Sequence, residues 1–166
     1  MKKTGECSNC GAEAKVVRGS YDFTESGLKN VRLHGIEMVQ CGRCGNVDPI
    51  ISRMADLLRV LAQSVAFKPY RLSGDDVKYL RKHLRMTAEQ FSRLLHVDRV
   101  TLSKWENNED KIGVQSDRLI RLIVLAKDPA LRQTVEKAVD QFEKIKDSRR
   151  AVHIDIDTEK RSYQYA

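Results

Sequence analysis

The sequence predicts an α+β protein: a small N-terminal antiparallel β domain, then an all-α domain, then a C-terminal helix with a β-hairpin. Three observations predict it. Residues 1–47 alternate apolar and polar side chains between turn signals and contain every cysteine of the chain, in CSNCG (7–11) and CGRCG (41–45). From Ser73 to about Lys127 the apolar residues recur at spacings of three and four, the helical period. The final AVHIDIDTEKRSYQYA alternates again. These shifts divide the chain into a β domain (1–47), a linker helix (48–72), a helical domain (73–127) and a C-terminal extension (128–166).

In the first part, KVVRGSYDF (15–23) and NVRLHGIEMVQ (30–40) carry β-branched and aromatic residues between turns at Ser26-Gly27 and Gly35. A sheet of this size buries little core, so something else is expected to hold it. Asp48-Pro49 reads as an N-cap followed by a first-turn proline. Ile51, Met54, Leu57, Leu58, Leu61 and Val65 then mark one face of a helix that Lys68-Pro69-Tyr70 ends. In the helical domain Val77, Leu80 and Leu84 share a face, as do Phe91, Leu94 and Leu95, and then Leu102 and Trp105. A fourth helix starts at the caps Ser116 and Asp117, and its LIRLIVLA run (119–126) must be covered on more than one side. Asp128-Pro129 repeats the cap-and-proline signal before a seam of Leu131, Val135, Ala138, Phe142 and Ile145 on a long helix. Two short strands about a turn near Thr158–Lys160 close the chain.

Composition narrows the partners. With 41% apolar and 32% charged residues the 166-residue chain has a globular balance. No run approaches the roughly 20 apolar residues of a membrane span, and the N-terminus has no apolar h-region, so a cytoplasmic protein is expected. The net charge of +7 favours an anionic partner, of which nucleic acid is the commonest. Between Lys68 and Lys104 nine basic residues face four acidic ones, so most of the excess sits in one segment.

Two C-x-x-C pairs in a reducing compartment read as metal ligands rather than disulfides. Zinc prefers four thiolates at about 2.3 Å in a tetrahedron, and C-x-x-C lets one tight turn present two of them. The ligands are Cys7, Cys10, Cys41 and Cys44, with Gly11 and Gly45 able to take the positive φ of a chain folding round the ion. A closed site of one zinc offers no open coordination position, so its expected role is structural. Loss of the metal is then expected to unfold residues 1–47. The competing redox reading, one pair as a thioredoxin-like dithiol, needs a strand-to-helix context that CSNCG lacks. His34 and His153 are alternative ligand types that four thiolates make unnecessary.

MTAEQFSRLLHVDRVTLSKWENN (86–108) is the most specific stretch. Thr87 with Gln90 makes a capping box opening a two-turn helix to Leu95. His96 stands at the turn, and Asp98 caps a second helix through Trp105, a helix-turn-helix arrangement. Leu102 and Trp105 point one way, while Arg99, Val100, Ser103, Lys104 and Asn107 fill the opposite arc. The competing reading is a plain helical bundle with a basic solvated face, in which Thr87 only caps.

The segment resembles an Xre-type helix-turn-helix, and its coupling to CSNCG and CGRCG over residues 5 to 127 resembles the YgiT/MqsA family of antitoxins, zinc-containing transcriptional repressors of type II toxin-antitoxin systems. The resemblance implies that the exposed face of the second helix enters the major groove of double-stranded DNA. The candidate DNA-binding residues are Arg99, Val100, Ser103, Lys104, Thr87 and Asn107. Arginine or lysine suits guanine O6/N7 and an apolar side chain suits a thymine methyl. Val100 and Lys104 stand where such antitoxins often carry Asn and Arg, Ala88 replaces a usual glutamine, and His96 replaces a usual glycine. These departures change the expected operator sequence more than the mode of binding.

The family further implies a homodimer on a palindromic operator, autoregulation, and a co-encoded toxin, commonly an RNase, held by the N-terminal zinc domain. The 119–126 helix is the first candidate for the dimer contact and the 131–145 seam the second; covering only their own core is the competing reading for both. The extension after the DNA-binding domain adds a strand to a partner or to the other protomer, is a tail, or docks as a hairpin on its own domain. A stand-alone regulator of phage or mobile-element type, without a toxin, is the alternative function. A thiol oxidoreductase or zinc hydrolase is a distant one, because the sequence offers no Ser-His-Asp, H-E-x-x-H or paired-carboxylate arrangement.

Overall fold

The computed structural model describes residues 4–142, 144–147 and 152–166. Four strands come first: β1 (Thr4–Glu6), β2 (Glu13–Asp22), β3 (Val31–Gln40) and β4 (Val47–Ile50). Six helices follow: α1 (Met54–Phe67), α2 (Gly74–His83), α3 (Ala88–Leu95), α4 (Arg99–Glu106), α5 (Val114–Lys127) and α6 (Val135–Phe142). The hairpin β5 (Ile154–Asp157) and β6 (Ser162–Tyr165) ends the chain, as the alternation of its sequence predicts. Ala151, the start of that alternating stretch, lies outside the described residues. The α+β class holds.

All six strands form one sheet in the order β1-β2-β3-β5-β6, with β4 also on β3. β3 is its axis. One edge pairs with β2; the other is shared, β5 running parallel to Val31–His34 and β4 antiparallel to Glu37–Gln40. Along β3 the buried residues are Val31 and Leu33, then Ile36 and Met38, so the inward parity changes once. Gly35 makes the change: its φ of +72° is left-handed, where a side chain would be strained, and β2 carries a matching irregularity between Gly19 and Tyr21.

The sheet is larger than its N-terminal sequence suggests, and that corrects the expectation that it buries little core. β5 adds Ile154 and Ile156 to the inner face, and α1 covers that face with Leu57, Leu61 and Val65, all three buried. The Tyr165 hydroxyl donates to the Ser64 carbonyl of α1 at 2.7 Å. Asp48-Pro49 does not open a helix; it belongs to β4, and the helix begins at Met54. Pro49 is tolerated because β4 pairs only with β3, which leaves one edge of the strand free of ladder bonds.

Two further helix expectations are corrected. α5 starts at Val114 with Gly113 as its cap residue, not at Ser116-Asp117. The 131–145 seam is a 3-10 turn (Arg132–Thr134) followed by the short α6, although Leu131, Ala138 and Phe142 are buried as the periodicity predicts.

Asp117 is free for another task. Its Oδ2 accepts from Arg121 Nε at 2.8 Å and its Oδ1 from the Leu72 amide at 2.7 Å. Arg121 is wholly buried, and its Nη atoms donate to the carbonyls of Ala66 (2.9 Å), Lys68 (2.7 Å) and Tyr70 (2.6 Å). Beside this clamp Lys68, also buried, pairs with Asp76 at the start of α2. The end of α1, the connector and the helical domain are thus tied by two buried ion pairs.

Replacing Arg121 with Met leaves the Asp117 carboxylate and three carbonyls short of donors in the interior. Removal of one member of a buried pair costs about 3–5 kcal/mol, so Arg121→Met should lose that much in urea unfolding. A change within about 0.5 kcal/mol, the size expected of an uninvolved surface site, would show that the clamp carries no stability.

Candidate nucleic-acid interface and metal centre

The two cysteine segments fold into the same loop. The Cys7 amide donates to the Ala12 carbonyl at 2.9 Å and the Gly11 amide to the Cys7 carbonyl at 2.9 Å. In the second loop Cys41 and Asn46 pair at 2.9 Å, and Gly45 and Cys41 at 3.0 Å. Gly11 and Gly45, with φ of +66° and +74°, supply the left-handed residue each loop needs.

All four sulfurs lie within 4.8 Å of one another, with Cys7–Cys44 at 3.5 Å and Cys10–Cys41 at 3.7 Å. A tetrahedron with bonds of about 2.3 Å separates its sulfurs by about 3.8 Å, so the set is already near the geometry zinc would need. Among the described residues no other such group of His, Cys, Asp or Glu side chains converges. The donor chemistry also fits. The Asn46 amide donates to the Cys44 sulfur and draws its pKa down to about 6, and the Cys44 and Arg43 amides lower Cys41. Cys10 is pushed up to about 12: the Ala12 amide opposes the rise, but Cys44, desolvation, Cys41 and Cys7 outweigh it. Four thiolates this close repel one another unless a cation joins them, and metal binding would displace the protons.

Cys7, Cys41 and Ala14 form a small buried cluster apart from the main core, and Cys10 and Cys44 are exposed beside it. Their reach is therefore local. Leu33, Ile36 and Met38 belong instead to the main core that α1 and β5 complete, so the expectation that metal loss unfolds residues 1–47 meets a competing one, that the loss stays near the cysteine loops.

The helix-turn-helix is built as its sequence predicts. Thr87 Oγ1 accepts from the Gln90 amide at 3.1 Å, and Gln90 Oε1 from the Thr87 amide at 2.9 Å, closing the capping box at the start of α3. His96 has a φ of +52°, the left-handed turn that leads to α4. Asp98 precedes α4 in extended conformation, but its side chain makes no cap hydrogen bond. Leu102 and Trp105 are buried beneath α4. Arg99, Val100, Ser103, Lys104 and Asn107 are all exposed on it, and Thr87 is exposed at the head of α3. Lys104 Nζ stands 3.6 Å from Asp110, while among the described residues Arg99 has no ion-pair partner.

Sequence reasoning missed what fixes α4. Arg81, counted only as a positive charge, forks onto Glu106 (Nε–Oε1 2.6 Å, Nη2–Oε2 2.9 Å) and donates from Nη1 to the Met86 carbonyl at 2.9 Å. One side chain thereby locks α2, the approach to α3 and the end of α4. A second contact was equally hidden. At Gly74 an added Cβ would stand 2.1 Å from the Trp105 carbonyl, so only glycine lets α2 start so close to the end of α4. The spacing of Arg81 and Glu106, 25 residues apart, gave no local signal.

α5 packs against α1, α2, α3 and α6, and Leu122 and Ile123 lie against the main core. Ile120, Arg121, Val124 and Leu125 are buried, Leu119 is 42% exposed, and Leu122 and Ile123 are half-buried.

A helix-turn-helix family model matches residues 77–122, from α2 into α5. Neither a curated protein nor a solved structure matches the chain. The chain therefore contains an Xre-type helix-turn-helix, a DNA-binding module, together with four convergent cysteines consistent with a zinc site. Among the described residues no helix is long and apolar enough to cross a membrane.

Chelation of the purified protein should expose the amides of residues 7–12 and 41–46 to hydrogen exchange and leave those of Leu33, Ile36 and Leu61 protected. Loss of protection throughout β3 would instead make the metal a requirement for the whole sheet.

Proposed function

We propose that the protein is a zinc-containing, sequence-specific transcriptional repressor whose helix α4 reads the major groove. One observation carries this reading. Val100 is 67% exposed on a helix whose inner side is locked by Leu102, Trp105 and the Arg81–Glu106 fork. An exposed valine between Arg99 and Ser103 has a use as a contact to a thymine methyl, with Arg99 and Lys104 on guanine edges or phosphates. Ser103 and Asn107 share the exposed arc with them and Thr87 stands at the head of α3, where hydroxyl and amide groups suit contacts to bases or backbone.

A half-site read by one short helix is brief, and a two-fold dimer doubles it. The exposed part of α5, with Val114 and Leu119, is the surface assigned to a second copy. In this reading residues 73–127 read DNA, 48–72 join them to the rest, and residues 1–47 with the C-terminal strands form the part that meets another partner.

That partner is the basis for the narrower reading as an autoregulating antitoxin of YgiT/MqsA type, in the cytoplasm and without catalytic activity of its own. The observation that favours it is β2. Beyond Lys15 its outer edge has no strand partner among the described residues, and a toxin strand could add there. A stand-alone regulator with the same DNA mechanism is the alternative. Binding to DNA upstream of the protein's own gene, with and without the neighbouring gene product, separates them.

Arg99→Ala and Lys104→Ala should each weaken operator binding by about 1–3 kcal/mol, read by fluorescence anisotropy on the cognate site. Unchanged affinity in both variants would remove the groove assignment. Leu119→Glu places a charge on the exposed part of α5 and should convert a dimer to monomer in sedimentation velocity. Identical sedimentation of variant and parent would move the dimer surface elsewhere.

A further inference from the structure

Three side chains that the sequence keeps apart meet on the face of the sheet turned away from α1. β2 and β3 change register between Gly19 and Tyr21: Gly19 faces Ile36 and Tyr21 faces Leu33, so Ser20 alone stands opposite both His34 and Gly35. A bulge of this kind re-aims the side chains around it. Here Ser20 Oγ comes to 2.9 Å from His34 Nδ1, and His34 Nε2 lies 3.1 Å from Asp155 Oδ1 on β5. Ser20, His34 and Asp155 thus form one polar chain across three neighbouring strands.

The chain has a direction. A carboxylate only accepts, so in the neutral ring Nε2 carries the hydrogen that Asp155 receives. Nδ1 is then a bare lone pair, and the Ser20 hydroxyl donates to it. This is the relation of nucleophile, base and orienting carboxylate by which a serine is activated, with the two ring nitrogens exchanged relative to the commonest form. Access suits it as well. Ser20 is exposed, while the side chains of His34 and Asp155 are 42% and 18% exposed, so the hydroxyl meets solvent and the orienting group is sheltered. A hollow of about 330 Å³ opens beside His34 and Asp155, walled by Ser162, Tyr163 and Gln164. Strand pairing does not require the three side chains, because the backbone ladders already join β2 to β3 and β3 to β5.

We propose that Ser20 is an acylation site that takes the acyl group of an activated ester, one whose leaving group is a stable anion. His34 Nδ1 removes the hydroxyl proton as Ser20 Oγ bonds to the acyl carbon. The bond from that carbon to the leaving group breaks, and the proton passes from His34 to the departing oxygen. Asp155 is a positioning residue: it holds the ring in this tautomer and offsets the charge the ring carries in transit. General-base assistance contributes about 10²–10⁴-fold, which suits an activated ester and falls far short of what an amide needs. The protein is the acceptor of the group, so the site is independent of the DNA-binding reading and adds no turnover to it.

The test is reaction of the full-length, zinc-loaded protein, its cysteines held by the metal, with p-nitrophenyl acetate, read by peptide mass spectrometry over time. Ser103 is the internal control, an exposed serine whose hydroxyl meets only Asn107, at 3.5 Å, among the described residues. Ser20 should be acetylated at least about tenfold faster than Ser103 in the same molecules, and His34→Gln should remove that advantage and leave Ser103 unchanged. Ser20→Ala should abolish the adduct on that peptide with a native circular dichroism spectrum. Asp155→Asn should slow Ser20, and nitrogen NMR should show the His34 hydrogen moved from Nε2 to Nδ1, a change that a merely structural role would not produce. Equal rates at Ser20 and Ser103 overturn the site without reference to any variant, as does an unchanged Ser20 rate in folded His34→Gln protein. An unchanged rate in Asp155→Asn, with the hydrogen still on Nε2, overturns the role of Asp155.

Discussion

Arg121 has no exposure to water, and the relation between the sheet and the helix-turn-helix depends on it. The last carbonyls of any helix lack intrahelical donors, and at the end of α1 the following Lys68-Pro69 cannot continue the ladder. Arg121 supplies the missing donors to Ala66, Lys68 and Tyr70 and carries its own counter-charge one helical turn away in Asp117. Asp117 in turn fixes the Leu72 amide, so the connector is held from both sides. Phe142 of α6 stacks 5.9 Å from the guanidinium and seals it. A buried charge set this way is a poor source of net stability compared with apolar packing. It does define direction: five donors in a rigid fork accept one arrangement of acceptors, whereas leucines accept many.

The sheet faces a different constraint, that of size. Strands from residues 4 to 50 alone would leave the inner side of β3 half open, and the chain closes it with residues from its far end. Because β5 runs parallel to β3, the hairpin can dock only after the helical domain has been traversed, which makes the sheet depend on contacts of very long sequence separation. The cysteine loops solve a smaller problem. They bring the end of β1 and the start of β4 together at one end of the sheet, and amides of the second loop favour the thiolate forms of Cys41 and Cys44.

What could be read in the sequence follows from how local each signal is. The capping box at Thr87 and Gln90, the left-handed His96, the paired loops closed by Gly11 and Gly45 and the terminal hairpin were all legible, because each is decided within a few residues. β4 was not, since Asp48-Pro49 fits a helix start as well as an edge strand and only the presence of β3 decides. Asp117 looked like a cap for the same reason: a carboxylate ahead of an apolar run suits both roles, and its partners Leu72 and Arg121 choose between them. The parity change at Gly35 was visible as a turn signal within an alternating run, but the meeting of Ser20, His34 and Asp155 depends on how two separate strands pair with β3.

Charge shows most clearly how tertiary structure revises a count. Of the nine basic residues between Lys68 and Lys104, Lys68 and Arg81 are spent inside the protein on Asp76 and Glu106, and Arg71 and Arg93 pair with Asp147 and Glu89. The internal pairs cannot serve a long-range field, since each buried cation is matched by an adjacent anion. On the DNA-binding reading, attraction to the duplex then falls to the exposed Lys78, Lys82, Arg85 and Arg99, and to Lys104 in so far as Asp110, 3.6 Å away, leaves it free. On the same reading the fork of Arg81 serves recognition in another way, by fixing the height and tilt of α4 so that a short side chain such as Val100 could make a contact at all. A longer residue reaches a base from a range of helix positions, but a valine does so from very few. A helix that reads with Val100 therefore needs a rigid seat, and Gly74, Trp105 and the Arg81–Glu106 fork provide it.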